Sequence, residues 1–198
     1  MRRIRIPVML LLALYLLVHF GFGLREPFSR LTGVTQAQGF PTGTHYAPAE
    51  NLERLDLVAL RMARRTIDIS MYAFTDRILA EALLDRARQG VRVRVYRDGE
   101  QFEQEQRRKG RGGSTTDFFM GQRNIEIRVK PPSARNDMHL KDYSVDGTLL
   151  RDGSANFSVA GEVIQDNEIH FGRDVTEIEA FERNFEAMWN RRENRVVQ

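Results

Sequence analysis

The sequence predicts an α/β protein: a single layered α-β-α domain with a mixed, largely parallel central sheet, preceded by an N-terminal hydrophobic helix. Two observations carry that prediction. Between residues 45 and 192, segments of helical period alternate with short strand-like runs, an order that implies right-handed crossovers and parallel pairing. An apolar run from Ile6 to Leu24 stands apart from the rest of the chain, with His19 its only strongly polar side chain.

That apolar run is long enough to cross a bilayer core. Arg2, Arg3 and Arg5 precede it, a flank that predicts a cytoplasmic amino end and a folded domain on the far side, the periplasm in a bacterium. A cleaved signal peptide has the same length. No small-x-small pair comes directly after the run, which favours an uncleaved anchor; either way residues 1–24 make the chain membrane-anchored or secreted. Residues 25–44 are Gly-rich and polar without a sustained period and read as a linker.

The folded domain is expected over 45–192, with 193–198 as a tail. Pro48 suits the first turn of a helix running to about Arg65, with Leu52, Leu55, Val58, Ala59 and Met62 as its apolar stripe. Thr66 to Ala73 reads as a strand. Thr75 or Asp76 can cap a helix through Leu79, Leu83 and Ala87 that Gly90 ends, and Val91 to Tyr96 is the next strand. Residues 99–122 are charged, and Gly110, Gly112 and Gly113 break any helix begun by Gln101. Within them Phe118, Phe119 and Met120 are a core anchor, a membrane contact or a base-stacking surface. Asn124 to Lys130 is a strand, Pro131-Pro132 a stiff exit, and Met138 to Val145 a strand again. A short helix over Ser158 to Ile164, a strand around Glu168 and an amphipathic helix over Val175 to Arg192 complete the domain. The last helix turns Ile178, Phe181, Phe185, Met188 and Trp189 inward.

The chain has no cysteine, which removes disulfides, zinc knuckles and thiol nucleophiles. Residues 1–30 hold five arginines and one glutamate, so they account for more than the whole formal charge of +3. The basicity of the chain is therefore no argument for nucleic-acid binding by the folded part. Local clusters say more. Arg107, Arg108, Lys109 and Arg111 crowd one stretch, and Arg123, Arg128, Lys130 and Arg135 lead up to His139. Such runs are either a solvated surface or the approach path of a polyanion, the latter making Arg128 and Lys130 candidate substrate contacts.

The chemistry concentrates after that approach. His139, Lys141 and Asp146 spell H-x-K-x4-D, and Gly153-Ser154-Ala155-Asn156 comes next. On one strand His139 and Lys141 share a face about 6 to 7 Å apart, a span that suits one phosphate group. A neutral imidazole can attack phosphorus and split the displacement into two steps. The ammonium cancels charge on the non-bridging oxygens, and the Asn156 amide adds a directional donor. Asp146 has the opposite parity and reads as a structural carboxylate. A second carboxylate is needed to hold the imidazole tautomer; Glu168, in an alternating segment, is the candidate, with an exposed strand residue as the alternative reading.

This pattern, together with residues 51–54, 67–75 and 90–95, resembles the phospholipase D superfamily over roughly residues 45 to 190, and within it the small single-motif branch of bacterial endonucleases and mitochondrial cardiolipin-hydrolase-like nucleases. The resemblance implies a metal-independent phosphodiesterase without cofactors, in which His139 is the nucleophile, Lys141 and Asn156 hold the phosphate, Ser154 supports the turn and Glu168 orients an imidazole. One motif supplies one imidazole, whereas leaving-group departure wants a second as general acid. The short members meet this need with a homodimer that shares the site, so a homodimer is expected here. His170 is the rival within one chain, and His45 is expected in a loop. Nucleic acid and anionic phospholipid are both compatible substrates, nucleic acid being preferred on the short architecture and the basic stretches; a binding-only relic is the third reading.

Overall fold

In the computed structural model, the described residues are 40, 42–108, 110, 114–132 and 136–197. The apolar run Ile6 to Leu24, expected as an anchor or signal peptide, lies outside them, as does most of the expected linker. Among the described residues no helix is long and apolar enough to cross a membrane.

From Pro41 onward the chain forms one compact unit. Its elements in chain order are β1 (Gly43–Ala47), α1 (Leu52–Arg61), β2 (Thr66–Met71), α2 (Arg77–Arg88), β3 (Arg92–Arg97), α3 (Gly99–Arg108), β4 (Ile125–Val129), β5 (Lys141–Val145), β6 (Leu149–Gly153), β7 (Asn167–Gly172), α4 (Val175–Trp189) and β8 (Arg195–Val197). A 3-10 turn at Thr115–Phe118 and a π-helical turn at Ala160–Ile164 fill two of the connections. The eight strands form one mixed sheet in the order β1-β7-β6-β5-β2-β3-β4-β8.

The expectation of a largely parallel sheet is corrected. Among these strands only β2–β3 and β3–β4 pair in parallel; the other five pairings are antiparallel. The parallel pairs are made by the helical crossovers through α2 and α3, whereas β5 and β6 are joined by a tight hairpin. Its two central residues, Asp146 and Gly147, have φ of 55° and 63°, the pair of left-handed conformations that a type I′ turn requires. Three strands lie outside the expected set, β6 among them. β1 begins at Gly43, within the expected linker, and puts His45 on a strand rather than in a loop; the expected tail forms β8.

Alternation gives the sheet two packed faces. On one, Ile67, Ile69, Val93, Val95, Tyr143 and Phe171 are buried, and the Tyr143 hydroxyl reaches Asp56 of α1. On the other, α4 lays Ile178, Phe181, Phe185, Met188 and Trp189 against Tyr96, Leu150 and Met138. Helix starts obey capping chemistry: the side chains of Asn51, Asp76 and Asp174 accept from the first-turn N–H groups of α1, α2 and α4. The α1 stripe is rotated from the expected one, for Met62 is exposed while Asp56 is buried among Leu52, Ala59 and Leu60. Phe119 is a core residue, Phe118 lies under the Arg77 guanidinium, and Met120 is exposed.

Asp146 ties the hairpin to the strand beside it. Its carboxylate accepts the backbone N–H groups of Arg64 at 2.9 Å, Arg65 at 2.7 Å and Thr66 at 2.9 Å. Burial alone would raise its pKa, but these three bonds outweigh burial and hold it below 3.8. A carboxyl lowered in the folded state contributes stability above its unfolded pKa and loses it as pH falls through the folded value. Asp146→Ala is expected to cost roughly 1 to 3 kcal/mol at pH 7 in urea unfolding, from donors left unpaired, with the deficit narrowing as pH drops below 3.8.

Candidate active site

The site is built at the carboxyl end of β2. Lys141 pairs with Met71, and the Tyr72 N–H extends that ladder to the Leu140 carbonyl at 3.0 Å. The strand expected from Met138 therefore starts only at Lys141. Met138 turns inward instead, buried at 3% exposure with its N–H on Asp98 Oδ2 at 3.0 Å, and His139 is left exposed just before the central strand β5.

His139 and Lys141 are closer than strand spacing predicts. The Lys141 ammonium lies 2.9 Å from His139 Nδ1 and donates to the His139 carbonyl at 2.5 Å. The Tyr72 ring tilts against the imidazole with centroids 4.6 Å apart, and the ammonium sits 5.2 Å from the same ring. Lys141 is 7% exposed. Burial lowers its pKa and the positive charge of Arg151 lowers it further, against the opposing pull of Asp142.

The Gly153-to-Asn156 turn is fixed by close packing of β6 on β7. Gly153 has φ of 140°, and a Cβ there would collide with the Glu168 carbonyl oxygen, so no other residue fits. The Ser154 N–H donates to that carbonyl at 3.0 Å, and its hydroxyl accepts the Glu168 N–H at 3.0 Å while donating to Asn167 at 2.9 Å. Asn156 Oδ1 accepts the Ala73 N–H at 3.0 Å, which turns the amide nitrogen away from that bond. Thr75 and Asp76 donate their N–H groups to the Phe157 carbonyl at 2.8 and 2.9 Å. The strip from Tyr72 to Asp76 thus meets both the His139–Lys141 corner and the Asn156 turn.

Other expected site residues lie elsewhere. Glu168 is exposed on β7, and among the described residues its carboxylate makes no hydrogen bond to the imidazole. Arg128 donates to Glu126 and to the Trp189 carbonyl and lies 4.5 Å over the Trp189 ring, on the α4 face. Lys130 is buried, with its ammonium on the Asn136 carbonyl. His170 bonds Thr44 on the sheet face opposite Lys141, and His45 bonds Glu50 at 2.8 Å. Tyr72 and the buried Arg151, Asp56 and Glu162 are site neighbours that sequence reasoning does not reach. A charged residue at an inward position of the Leu149–Gly153 strand is the available signal for Arg151. Among the described residues, no group of three or more His, Cys, Asp or Glu is arranged to hold a metal ion.

An imidazole and an ammonium in contact at one end of a mixed sheet, beside a Gly-Ser-x-Asn turn, are the parts of a phosphodiester-handling α/β domain. The family model described as "Cardiolipin synthase, PLD-like domain" matches residues 57–189, and the chain belongs to the phospholipase D superfamily. Among curated relatives, the mitochondrial cardiolipin hydrolase of Chlamydomonas reinhardtii is 28% identical over 131 residues, covering 66% of this chain and 54% of that one. The protein of the same name from Xenopus laevis is 29% identical over 133 residues, covering 67% and 59%. The chain therefore spans a little over half the length of these relatives. Among solved structures, NucT from Helicobacter pylori has a TM-score of 0.65 at 19% identity, covering 75% of this chain and 95% of that one. Nuc from Salmonella typhimurium, a phospholipase D family member, has a TM-score of 0.65 at 22% identity, covering 80% and 98%. These two likenesses establish the fold.

The lowered pKa of Lys141 has a measurable sign. An ammonium that deprotonates early holds phosphate at low pH and releases it as pH rises through the folded-state value. Binding of inorganic phosphate, tracked by the chemical shift of the Lys141 Nζ resonance, is expected to fade with a midpoint below 10.5.

Proposed function

We propose that this protein is a metal-independent phosphodiesterase that acts through a phosphohistidine on His139, with nucleic acid as its substrate. The observation that carries the reading is the direct contact of an exposed imidazole with a buried ammonium, 2.9 Å from Nδ1 to Nζ. An ammonium only donates, so this contact occupies a ring lone pair. A phosphate that competes for Lys141 returns that lone pair to the imidazole and brings phosphorus next to it. The ring nitrogen bonds to phosphorus as the ester oxygen leaves and takes a proton from a general acid. Water, giving a proton to the group that served as general acid, then attacks the phosphohistidine; the P–N bond breaks and the imidazole is regenerated.

Lys141 and the Asn156 amide bind the non-bridging oxygens, Ser154 holds the turn, and Asp146 keeps β5 in register from its far end. The general acid is assigned to His139 of a second copy, since His170 faces away. Glu168, exposed and not bonded to the imidazole of its own chain, is then available to the ring of the second copy. Arg128 and Lys130 are engaged in internal contacts and receive no substrate role.

Nucleic acid is favoured by a cleft beside the Ala73-to-Asp76 strip, lined by Arg77, Arg108, Gln101, Gln104 and Thr75. Guanidinium, amide and hydroxyl groups suit the repeated phosphates of a polynucleotide. A second reading, hydrolysis of an anionic phospholipid, is supported by the exposed Val159 and Ile164 in the segment after Asn156, and by the name of the curated relatives.

The test is turnover of single-stranded DNA, RNA, duplex DNA and cardiolipin vesicles by the full chain in EDTA. Cleavage of a polynucleotide is expected to resist the chelator. His139→Asn is expected to abolish it while leaving the melting temperature unchanged. Turnover of the vesicles alone would replace the substrate, and chelator-sensitive or His139-independent turnover would overturn the mechanism.

A further inference from the structure

A charge cluster without access to water lies behind Lys141 and Asn156. Arg151, Asp56 and Glu162 are each 0% exposed. Strand alternation puts Arg151 on the face of Tyr143, against α1. Its Nε and Nη2 donate to the two Asp56 oxygens at 3.3 and 3.0 Å, and Nη2 also reaches Glu162 at 3.1 Å. The remaining bonds go to main chain: Nη1 to the Lys141 carbonyl at 2.6 Å and Nη2 to the Ala155 carbonyl at 3.1 Å. One of these carbonyls belongs to the residue that carries the ammonium. The other belongs to the residue just before Asn156.

Stability alone does not account for this arrangement. A buried ion pair adds little over apolar packing of the same volume, because desolvation offsets its Coulomb energy. A planar guanidinium does what no apolar residue can, donating in fixed directions to several acceptors at once. Asp56 aims the fork from α1, Tyr143 donates to Asp56 at 2.7 Å and steadies it, and the fork's other prongs end on the two segments that carry the phosphate-binding groups.

We propose that Arg151 is a positioning residue of the phosphodiester reaction, setting the spacing between the Lys141 ammonium and the Asn156 amide through their backbones, with Asp56 as its anchor. The inference rests on the reading that Lys141 and Asn156 bind the reacting phosphate. A secondary consequence concerns charge: Arg151 lies close enough to Lys141 to favour its neutral form, so removal of that charge raises the lysine's pKa.

Two full-chain variants test the proposal, with bis(p-nitrophenyl) phosphate as substrate and His139→Asn as reference. Arg151→Lys keeps the charge and loses the fork. Its kcat is expected to fall about 10- to 100-fold, the loss of one or two charged hydrogen bonds realised in the transition state, with KM changed less than about threefold and the alkaline limb of the rate profile in place. The charge-balanced Arg151→Met/Asp56→Asn variant is expected to keep its melting temperature, lose a similar factor in kcat and shift the alkaline limb to higher pH. A folded form of either variant with wild-type kcat would overturn the proposal. So would failure of both to fold, because Arg151 would then be a requirement of the fold rather than of the site. If the wild type turns over no phosphodiester, or His139→Asn matches it, the functional reading fails instead, and the two failures stay distinct.

Discussion

The antiparallel pairing of β5 on β2 is the constraint on which the rest of the site depends. It is the seam between two halves made by different rules: a crossover half, where β2, β3 and β4 run parallel, and a hairpin half, where β5, β6 and β7 fold back on one another. Register at this seam sets Lys141 opposite Met71, which places the ammonium at the carboxyl end of β2. Beyond that pairing the β2 chain continues into a strip where the N–H groups of Tyr72, Ala73, Thr75 and Asp76 are taken by Leu140, Asn156 and Phe157. A slip of one residue would turn Lys141 to the opposite face and break all of these bonds together.

The interior behind the seam is rich in ionisable groups, and their protonation states are set by electrostatics. Asp56 and Glu162 share a single guanidinium. Two carboxylates and one cation in a dry site would leave an uncompensated charge, so one proton stays bound. Burial first, and then the charge of Asp56, push the Glu162 pKa up to about 10, and Glu162 carries that proton at neutral pH. On the other face, burial raises Asp142 to about 7. Glu53 near Asp76 likewise rises to about 7 through burial and the neighbouring carboxylate. Burial thus holds these three carboxyls partly neutral.

The elements α2, β2, β3, β4, β7 and α4 are legible in the sequence, because each joins a clear period to a recognisable end, as Asp76 and Gly90 do for α2. The hairpin half is harder. Asp146-Gly147 is a strong type I′ turn signal, but the same aspartate completes the H-x-K-x4-D spacing, and the motif masks both the turn and the strand after it. Leu149 to Gly153 also does not alternate cleanly: three consecutive residues, Arg151 the last, are buried, and the partners of Arg151 are distant in sequence. The identities of His139, Lys141 and Asn156 can be read from spacing. Their geometry cannot, because Met138 is pulled toward Asp98 by a tertiary bond, and that is what frees His139 from the strand. Arg128 and Lys130 show the converse: an indole ring and a carbonyl engage these side chains, contacts that a basic run in the sequence does not announce.

The strand order also keeps the ends of the folded unit apart. β1 and β8 are the two outermost strands, so this unit begins at one margin of the sheet and finishes at the other. Seven interstrand steps of about 4.8 Å separate those margins by roughly 30 to 35 Å before twist is counted. Small domains often keep their termini close together; this one does not. Gly43 lies opposite Phe171 of β7, whereas Val197 lies a full sheet width away. Joining the ends into a circular permutant would therefore take a bridge of at least about ten extended residues.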